Sequence, residues 1–333
     1  METVAALVGQ DPRLLEIIRR LPALADNDAT VLVNGETGTG KELLARALHY
    51  LGPRAPFPFV PINCGALPDT LLEAELFGHE RGAFTDARGP RTGLVREANG
   101  GTLCLDEVDS LTPRAQVVLL RLLQDHTFRP VGSSREQRAD VRFIAVTNAP
   151  LPERVAAGAF RADLYYRLSV YTVNLPPLRE RGGDVPLLAE HFLRMYARRD
   201  PPPQLSAAAV AALNEHDWPG NVRELENAML RAAQSCGGDV IEVEDLGLPF
   251  VAAARETPGS SFAALKRRAI EAFERQYLLA LMRRTAGNVT RAARAAGKDR
   301  RDLGRLLKKH GVDPRAFTGV SASHDRGEMR PAS

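Results

Sequence analysis

The sequence predicts an α/β domain with a mostly parallel sheet, then a small helical subdomain, then a small all-α basic module. Three observations predict this. Through the first ~175 residues, short β-rich runs alternate with helical spacing, the pattern of a parallel sheet with crossover helices. From Asp184 to about Leu246 the strand signals vanish and helical spacing dominates. Helical signals resume at Phe262 and stop near Gly311.

The clearest strands are Thr30 to Asn34, Thr102 to Leu105 and Val141 to Val146, each followed by a loop signal. Lys41 to Leu51 and Arg114 to Asp125 carry helical spacing. These readings place an α/β subdomain at 1–177 and a helical subdomain at 178–250. Residues 251–261 hold Ala, Pro, Gly and Ser without an apolar period and read as a linker. The basic module spans 262–315, and the polar tail 316–333 is expected to be disordered. No internal repeat is evident.

A chain of 333 residues is long enough for two or three domains. Its 44% hydrophobic and 26% charged residues are those of a soluble globular protein. No apolar run is long enough to span a bilayer, and Met1 to Gln10 lacks the pattern of a secretory signal. Cys64, Cys104 and Cys236 are far apart and read as reduced thiols of a cytoplasmic protein. The net charge of +3 is unevenly spread. Phe262 to Arg315 holds 15 Lys/Arg against 5 Asp/Glu, whereas Met1 to Ser261 holds 27 against 34. A basic module on an acidic body points to nucleic acid at the C-terminal end, and a solvated basic helix face accounts for the charge count equally well.

Gly35-Glu36-Thr37-Gly38-Thr39-Gly40-Lys41 follows a strand and opens a helix. That is the context of a phosphate-cradling loop: glycines let backbone N–H groups close on phosphates, and Lys41 and the helix dipole add positive charge. The generic pattern ends in Ser or Thr, but Glu42 stands here, so a glycine-rich turn remains the alternative on this motif alone. A second element narrows the choice. The apolar run Thr102 to Leu105 ends in Asp106-Glu107, about 65 residues beyond the loop, the order found in ATPases. Asp106 is placed to hold Mg2+ and Glu107 to polarise the attacking water, so the expected cofactors are ATP and Mg2+.

The motifs taken together resemble the AAA+ domain of bacterial enhancer-binding proteins, the sigma-54-dependent transcriptional activators. Gly35 to Glu42 has that family's Glu in place of Ser/Thr. Glu75 to Ala87, Phe160 to Leu168, Leu175-Pro-Pro-Leu-Arg-Glu-Arg181 and Trp218 to Glu226 match in order, and the resemblance runs from Leu7 to Asp313. It implies an AAA+ P-loop NTPase fold with a helical lid. It further implies that Asn148, after Thr147, reads the γ-phosphate state and that Asn63 restrains Glu107. Arg161 and Arg167 resemble arginine fingers that enter a neighbour's ATP site, which requires a ring; the family suggests six or seven subunits. Arg223 resembles the lid arginine that reaches the nucleotide of its own subunit.

Gly82-Ala83-Phe84-Thr85-Asp86-Ala87 resembles the family's sigma-54-contacting loop, with Phe84 and Thr85 at the tip. The family's second glycine is replaced by Asp86, which removes backbone freedom and adds charge. At the C-terminal end, Phe262 to Thr285 has helical apolar spacing, Gly287-Asn288 stops that helix and caps Asn288 to Ala296, and Asp299 caps Arg300 to His310. Leu303, Leu306 and Leu307 face inward, leaving Arg300, Arg301, Arg305, Lys308 and Lys309 outward. Two short helices about a Gly turn, the second basic, form a helix-turn-helix, resembling the factor-for-inversion-stimulation type. Gly304 inside the second helix costs about 1 kcal/mol of propensity relative to Ala.

The expected partners are therefore sigma-54 RNA polymerase holoenzyme, double-stranded enhancer DNA and further copies of this chain in a ring, and no membrane. The alternative is an ATP-responsive DNA-binding regulator independent of sigma-54, with Asp86 in its favour. The AAA+ body starts within ten residues of the N-terminus, so the expectation is control by a regulator in trans or an upstream segment missing from this chain.

Overall fold

The computed structural model describes residues 7–66, 68–83, 89–248 and 284–317, with further helical positions between 267 and 282. It forms two compact units, Met1–Gly247 and Leu248–Ser333.

In the first unit, five parallel strands make one sheet. In chain order they are β1 (Val31–Asn34), β2 (Phe59–Asn63), β3 (Thr102–Asp106), β4 (Arg142–Thr147) and β5 (Tyr171–Asn174). Their order in space is β2-β3-β4-β1-β5. Asn34 pairs with Thr147, and Asn63 with Asp106, so the carboxyl ends of four strands meet along one edge of the sheet.

Alternation along the strands sends side chains to two cores. Leu32, Leu103, Leu105, Phe143 and Ala145 pack on α3 (Asp69–Phe77), α4 (Pro113–Asp125) and α5 (Ala162–Leu168). Val31, Val33, Cys104, Ile144 and Val146 pack on α1 (Pro12–Ala25) and α2 (Lys41–Tyr50). Local chemistry starts the helices. The Asp11 carboxylate accepts from the N–H groups of Arg13 and Leu14 with Pro12 at the first turn, and Thr112 caps α4 ahead of Pro113. Gly40, at φ +100°, turns the phosphate-loop segment directly into α2.

Arg142 enters β4 buried and without a carboxylate partner among its hydrogen bonds. Its guanidinium donates to Leu24 O (2.6 Å), Ala25 O (3.0 Å) and Leu48 O (3.2 Å), the C-terminal carbonyls of α1 and α2. These are groups that a helix end leaves unpaired.

The lid consists of α6 (Asp184–Tyr196), α7 (Ala207–Glu215) and α8 (Asn221–Ser235). Trp218 is fully buried and donates its indole N–H to Leu213 O at 2.9 Å, anchoring the turn into α8. The second unit packs Leu278, Leu281 and Met282 against α9 (Val289–Ala295) and α10 (Arg300–Lys309) through Ala292, Leu303 and Leu307. Among the described residues no helix is long and apolar enough to cross a membrane.

The expected strands are present within a residue or two. The sequence reading missed β2, which carries Pro61 at an edge, and β5, an edge strand of four residues. It also missed a two-residue parallel ladder, Gln204–Leu205 with Val240–Ile241, inside the lid where no strand was expected. The tip Phe84, Thr85, Asp86 and Ala87, the linker 251–261 and the tail beyond 317 lie outside the described residues.

Candidate nucleotide site and nucleic-acid face

The carboxyl ends of β1 to β4 and the start of α2 bring the expected site residues together. Gly35 N–H continues from β1 and donates to Thr147 O at 3.3 Å. Gly38 and Gly40 sit at φ +81° and +100°, a region that L side chains rarely adopt. Thr39 closes the turn by donating its hydroxyl to Glu36 O at 2.8 Å. Lys41 Nζ donates to Gly35 O (2.7 Å) and Glu36 O (2.9 Å), so the ammonium lies inside the loop. Burial holds the Lys41 ammonium below the ordinary lysine range, opposed by the charges of Asp106 and Asp109. Glu42, in the first turn of α2, pairs with Arg46 at 2.8 Å on the helix surface.

Asp106 ends β3 half-buried. Burial raises its carboxyl above the usual range, against the hydrogen bond from Glu107 N–H at 2.9 Å and the nearby Lys41 charge. A desolvated carboxylate at the mouth of an N–H-rich loop fits magnesium held jointly with phosphate oxygens. That ion commonly takes one or two protein carboxylates rather than a full protein cage. No group of three or more potential metal ligands occurs among the described residues.

Glu107 adopts the left-handed region at φ +54°. A bulky non-Gly residue there marks stored backbone strain, which clusters at functional sites. Its Oε2 lies 2.8 Å from where a β-carbon on Gly65 would stand, and Asn63 Oδ1 accepts from Gly65 N–H at 2.8 Å. The asparagine and the glutamate thus both converge on Gly65. Across the sheet, Thr147 donates its hydroxyl to Asp109 Oδ1 at 2.7 Å, and Asn148 Nδ2 reaches Thr37 Oγ1 at 3.3 Å.

The lid closes the other side of the loop. Gly38 O accepts from the first free N–H groups of α8, Val222 (3.0 Å) and Arg223 (3.3 Å), which puts Arg223 beside the loop. Glu36 is held by Arg179 through two hydrogen bonds of 2.5 and 2.8 Å and by Asn221 Nδ2 at 3.1 Å. The Arg179 hydrogen bonds, then the Asn221 bond, bring the Glu36 carboxyl down to about 2.

Arg161 and Arg167 are not drawn into this constellation. Both are exposed on the α4–α5 face: Arg161 pairs with Asp163 at 2.8 Å, and Arg167 Nε donates to Leu123 O at 3.2 Å. Asp109, Arg179, Asn221 and Gly65 were missed as site residues. Arg179 and Asn221 lie inside motifs that the sequence already singled out, and Asp109 lies three residues beyond Asp106.

In the second unit, Asn288 caps α9 through Thr290 and Arg291 N–H, and Asp299 caps α10 through Asp302 N–H. Arg300, Arg301, Arg305 and Lys308 are exposed on α10. Lys309 instead bonds Glu274 Oε2 at 2.8 Å, shared with His310 Nε2 at 2.8 Å.

Comparison with known proteins agrees with this architecture. Residues 7–174 match the Sigma-54 interaction domain, 179–283 the AAA+ ATPase lid domain, and 269–310 the Bacterial regulatory protein, Fis family. The transcriptional regulatory protein GlrR of Escherichia coli (strain K12) is 43% identical over 323 residues, covering 94% of this chain and 69% of the relative. ZraR of Salmonella typhimurium is 44% identical over 299 residues, covering 89% and 67%. The crystal structure of NtrX from Brucella abortus in complex with ATP superposes with a TM-score of 0.68 at 34% identity, covering 92% of this chain and 69% of that one. With a phosphate loop at the strand ends of a five-stranded parallel sheet, a lid seated on that loop and a helix-turn-helix in the C-terminal unit, the chain belongs to the bacterial sigma-54-dependent transcriptional regulators, an AAA+ P-loop NTPase family.

Proposed function

We propose that this chain binds ATP with Mg2+ and hydrolyses it in a six- or seven-membered ring. The ring uses that energy to remodel the sigma-54 RNA polymerase closed complex, while the C-terminal unit holds enhancer DNA. One observation carries the reading: Lys41, Asp106, Glu107 and Asn148 gather where the sheet strands end and α2 begins, with Arg223 of the lid beside the phosphate loop, while Arg161 and Arg167 are exposed and outside this group. An assembly of copies supplies the missing arginines in trans. The bound nucleotide supplies the phosphoryl group to be transferred. Within the chain, Gly35 to Gly40 offer N–H groups, and Lys41 exchanges its two loop carbonyls for phosphate oxygens. Asp106 holds the magnesium, and Glu107 orients water and takes its proton. Asn63 sets the Glu107 position through Gly65, Asn148 stands at the γ-phosphate end, and Arg223 adds charge from the lid. Arg161 and Arg167 of each copy stabilise charge in the adjoining site.

Phe84 and Thr85 are the proposed sigma-54 contacts, and Arg300, Arg301, Arg305 and Lys308 the proposed DNA contacts. A polymerase partner and a DNA target would put the protein in the bacterial cytoplasm. In vitro transcription with sigma-54 holoenzyme, ATP and enhancer DNA tests the reading: open complexes form only with hydrolysable ATP. Asp86 supports a second reading, a sigma-54-independent regulator. Equal transcription with and without sigma-54 would decide for it, and a gain in open complexes with Asp86→Gly would show that Asp86 tunes the sigma contact.

A further inference from the structure

The segment Leu178–Glu180, with Arg181 after it, joins the sheet to the lid, and the side chains of Arg179, Glu180 and Arg181 each fasten it. Arg179 grips Glu36 in the phosphate loop. Glu180 pairs with Arg13 of α1 at 2.9 Å and receives a second bond from it on its main-chain oxygen. Arg181, buried, pairs with Asp184 at 2.8 Å and donates to Val8 O, while Asp184 accepts from Gln10 and Asp11 N–H. The Glu180 and Arg181 attachments reach the N-terminal segment, α1 and the start of α6. The Arg179 attachment alone of the three enters the loop that cradles phosphate.

Glu36 is tied on both of its faces. Its main-chain oxygen accepts from Lys41 Nζ and from Thr39, and its carboxylate accepts from Arg179 and Asn221. Asn221 extends the tie. It is buried at φ +53°, and its Nδ2 donates to both Glu36 Oε2 and Thr37 O (3.0 Å), while its Oδ1 accepts from Leu178 N–H at 2.8 Å. Asn221 begins α8, whose free N–H groups hold Gly38 O. A change at the Lys41 end of Glu36 therefore has a continuous hydrogen-bonded route to the root of the lid and to its last helix. A bidentate Arg–carboxylate pair is the ion-pair geometry that keeps value at a partly exposed site.

We infer that Glu36, Arg179 and Asn221 form a latch that fixes the lid to the phosphate loop and couples loop occupancy to lid closure, with Arg179 as a positioning residue. The inference rests on the nucleotide-binding reading for the occupant of the loop but not for the latch itself, so its test has two readouts. The first is hydrogen exchange of the α8 amides in nucleotide-free full-length protein. The second is affinity for a fluorescent ADP analogue, with KM and kcat for ATP. Arg179→Ala is expected to speed exchange at residues 222–225 and to weaken nucleotide affinity and raise KM about tenfold, leaving kcat at saturation within about twofold. Arg179→Lys, a point charge without the fork, recovers part of both effects. Circular dichroism melting of each variant separates the latch from global unfolding. Wild-type exchange at 222–225 in Arg179→Ala overturns the inference. Loss of kcat with unchanged KM also overturns it, because that assigns Arg179 to the chemistry. If the wild-type protein bound no nucleotide, the ATP reading would fail while the exchange readout still decided the latch.

Discussion

The α-carbon of Gly38 faces the main-chain oxygen of Gly220 so closely that a β-carbon built on it would stand 2.3 Å away. The contact joins the phosphate loop to the turn that starts the last lid helix. Its partner is backbone, so it cannot swing aside as a flexible side chain would. Gly38→Ala must therefore open the loop from the lid, and the φ of +81° adds about 1 kcal/mol of conformational strain. We expect at least a tenfold loss of nucleotide affinity (on the order of 1.4 kcal/mol) and a lower melting temperature. Fluorescent-nucleotide titration beside a thermal melt measures both. Wild-type affinity would show that the close approach is dispensable.

Glu107 combines a strained backbone with the position expected of the catalytic carboxylate. Glu107→Gln keeps the shape and removes the base, so hydrolysis should fall by about 10²- to 10⁴-fold with nucleotide binding retained. Glu107→Gly removes the base and relieves the left-handed strain, so its melting temperature should equal or exceed that of Glu107→Gln. Normal phosphate release by Glu107→Gln would move the role of base elsewhere.

Glu36 provides a pH signature for the lid latch. Its folded value of about 2 lies below its unbound value of 4.5. The sign follows: its contribution is complete above 4.5 and is lost as pH falls through about 2. The difference in melting temperature between wild type and Glu36→Gln should stay constant between about pH 5 and 8 and shrink in more acid solution. With both side chains 42% exposed, high salt should shrink it as well. A difference that grows on acidification would contradict the pairing.

How much of this was legible in the sequence follows the range of each interaction. The phosphate loop and the Asp106-Glu107 pair could be read because their chemistry lies within a few adjacent residues. Strands β3 and β4, covered on both faces, announced themselves as apolar runs. Strand β2 did not, because Pro61 and its edge position weaken the pattern. Glu36 and Arg179 are 143 positions apart, and nothing local in either says that the lid will bring them together. Thr147 and Asp109 likewise meet only because β4 lies beside β3. The left-handed backbone of Glu107 is imposed by tertiary packing and leaves no trace in residue type, whereas Asn221 is of a type that tolerates that region.

Arg142 illustrates the same point and carries its own prediction. A charged residue inside a strand argues for exposure, yet here it is 2% exposed, with two helix C-termini as its partners. Arg142→Met leaves three buried carbonyls without their donor, each costing about 1 kcal/mol or more, so the unfolding free energy should drop by roughly 3 kcal/mol. Urea unfolding of full-length protein, read at the first unit's transition, measures it. A midpoint within error of wild type would mean that water or backbone shifts replace the guanidinium.

Thiol chemistry offers an independent check on the core. Burial pushes the Cys64 thiol up to about 12 and raises Cys104 as well, while Cys236 is partly exposed. Both buried thiols sit in apolar clusters on the two sides of the sheet. A disulfide reagent at about pH 8 should titrate one thiol in the native protein and all three after denaturation. Rapid native reaction of a second thiol would show that the sheet opens on that timescale.

The basic helix α10 separates cations that can meet phosphate from one engaged with a carboxylate outside the helix, although Arg305 also pairs with Asp302 within it at 3.7 Å. Arg300, Arg301, Arg305 and Lys308 are exposed, whereas Lys309 shares the Glu274 carboxylate with His310. Each of the first four, changed to Ala, should weaken DNA binding and reduce the slope of log K against log salt by about one if it contacts a phosphate. Lys309→Ala should leave that slope unchanged and instead lower the melting temperature of the helix-turn-helix, since it strips Glu274 of one partner. Fluorescence anisotropy of duplex DNA across a salt series gives the slopes. A Lys309→Ala variant that lost slope as the arginine variants do would place Lys309 on the phosphates and break the distinction drawn from Glu274.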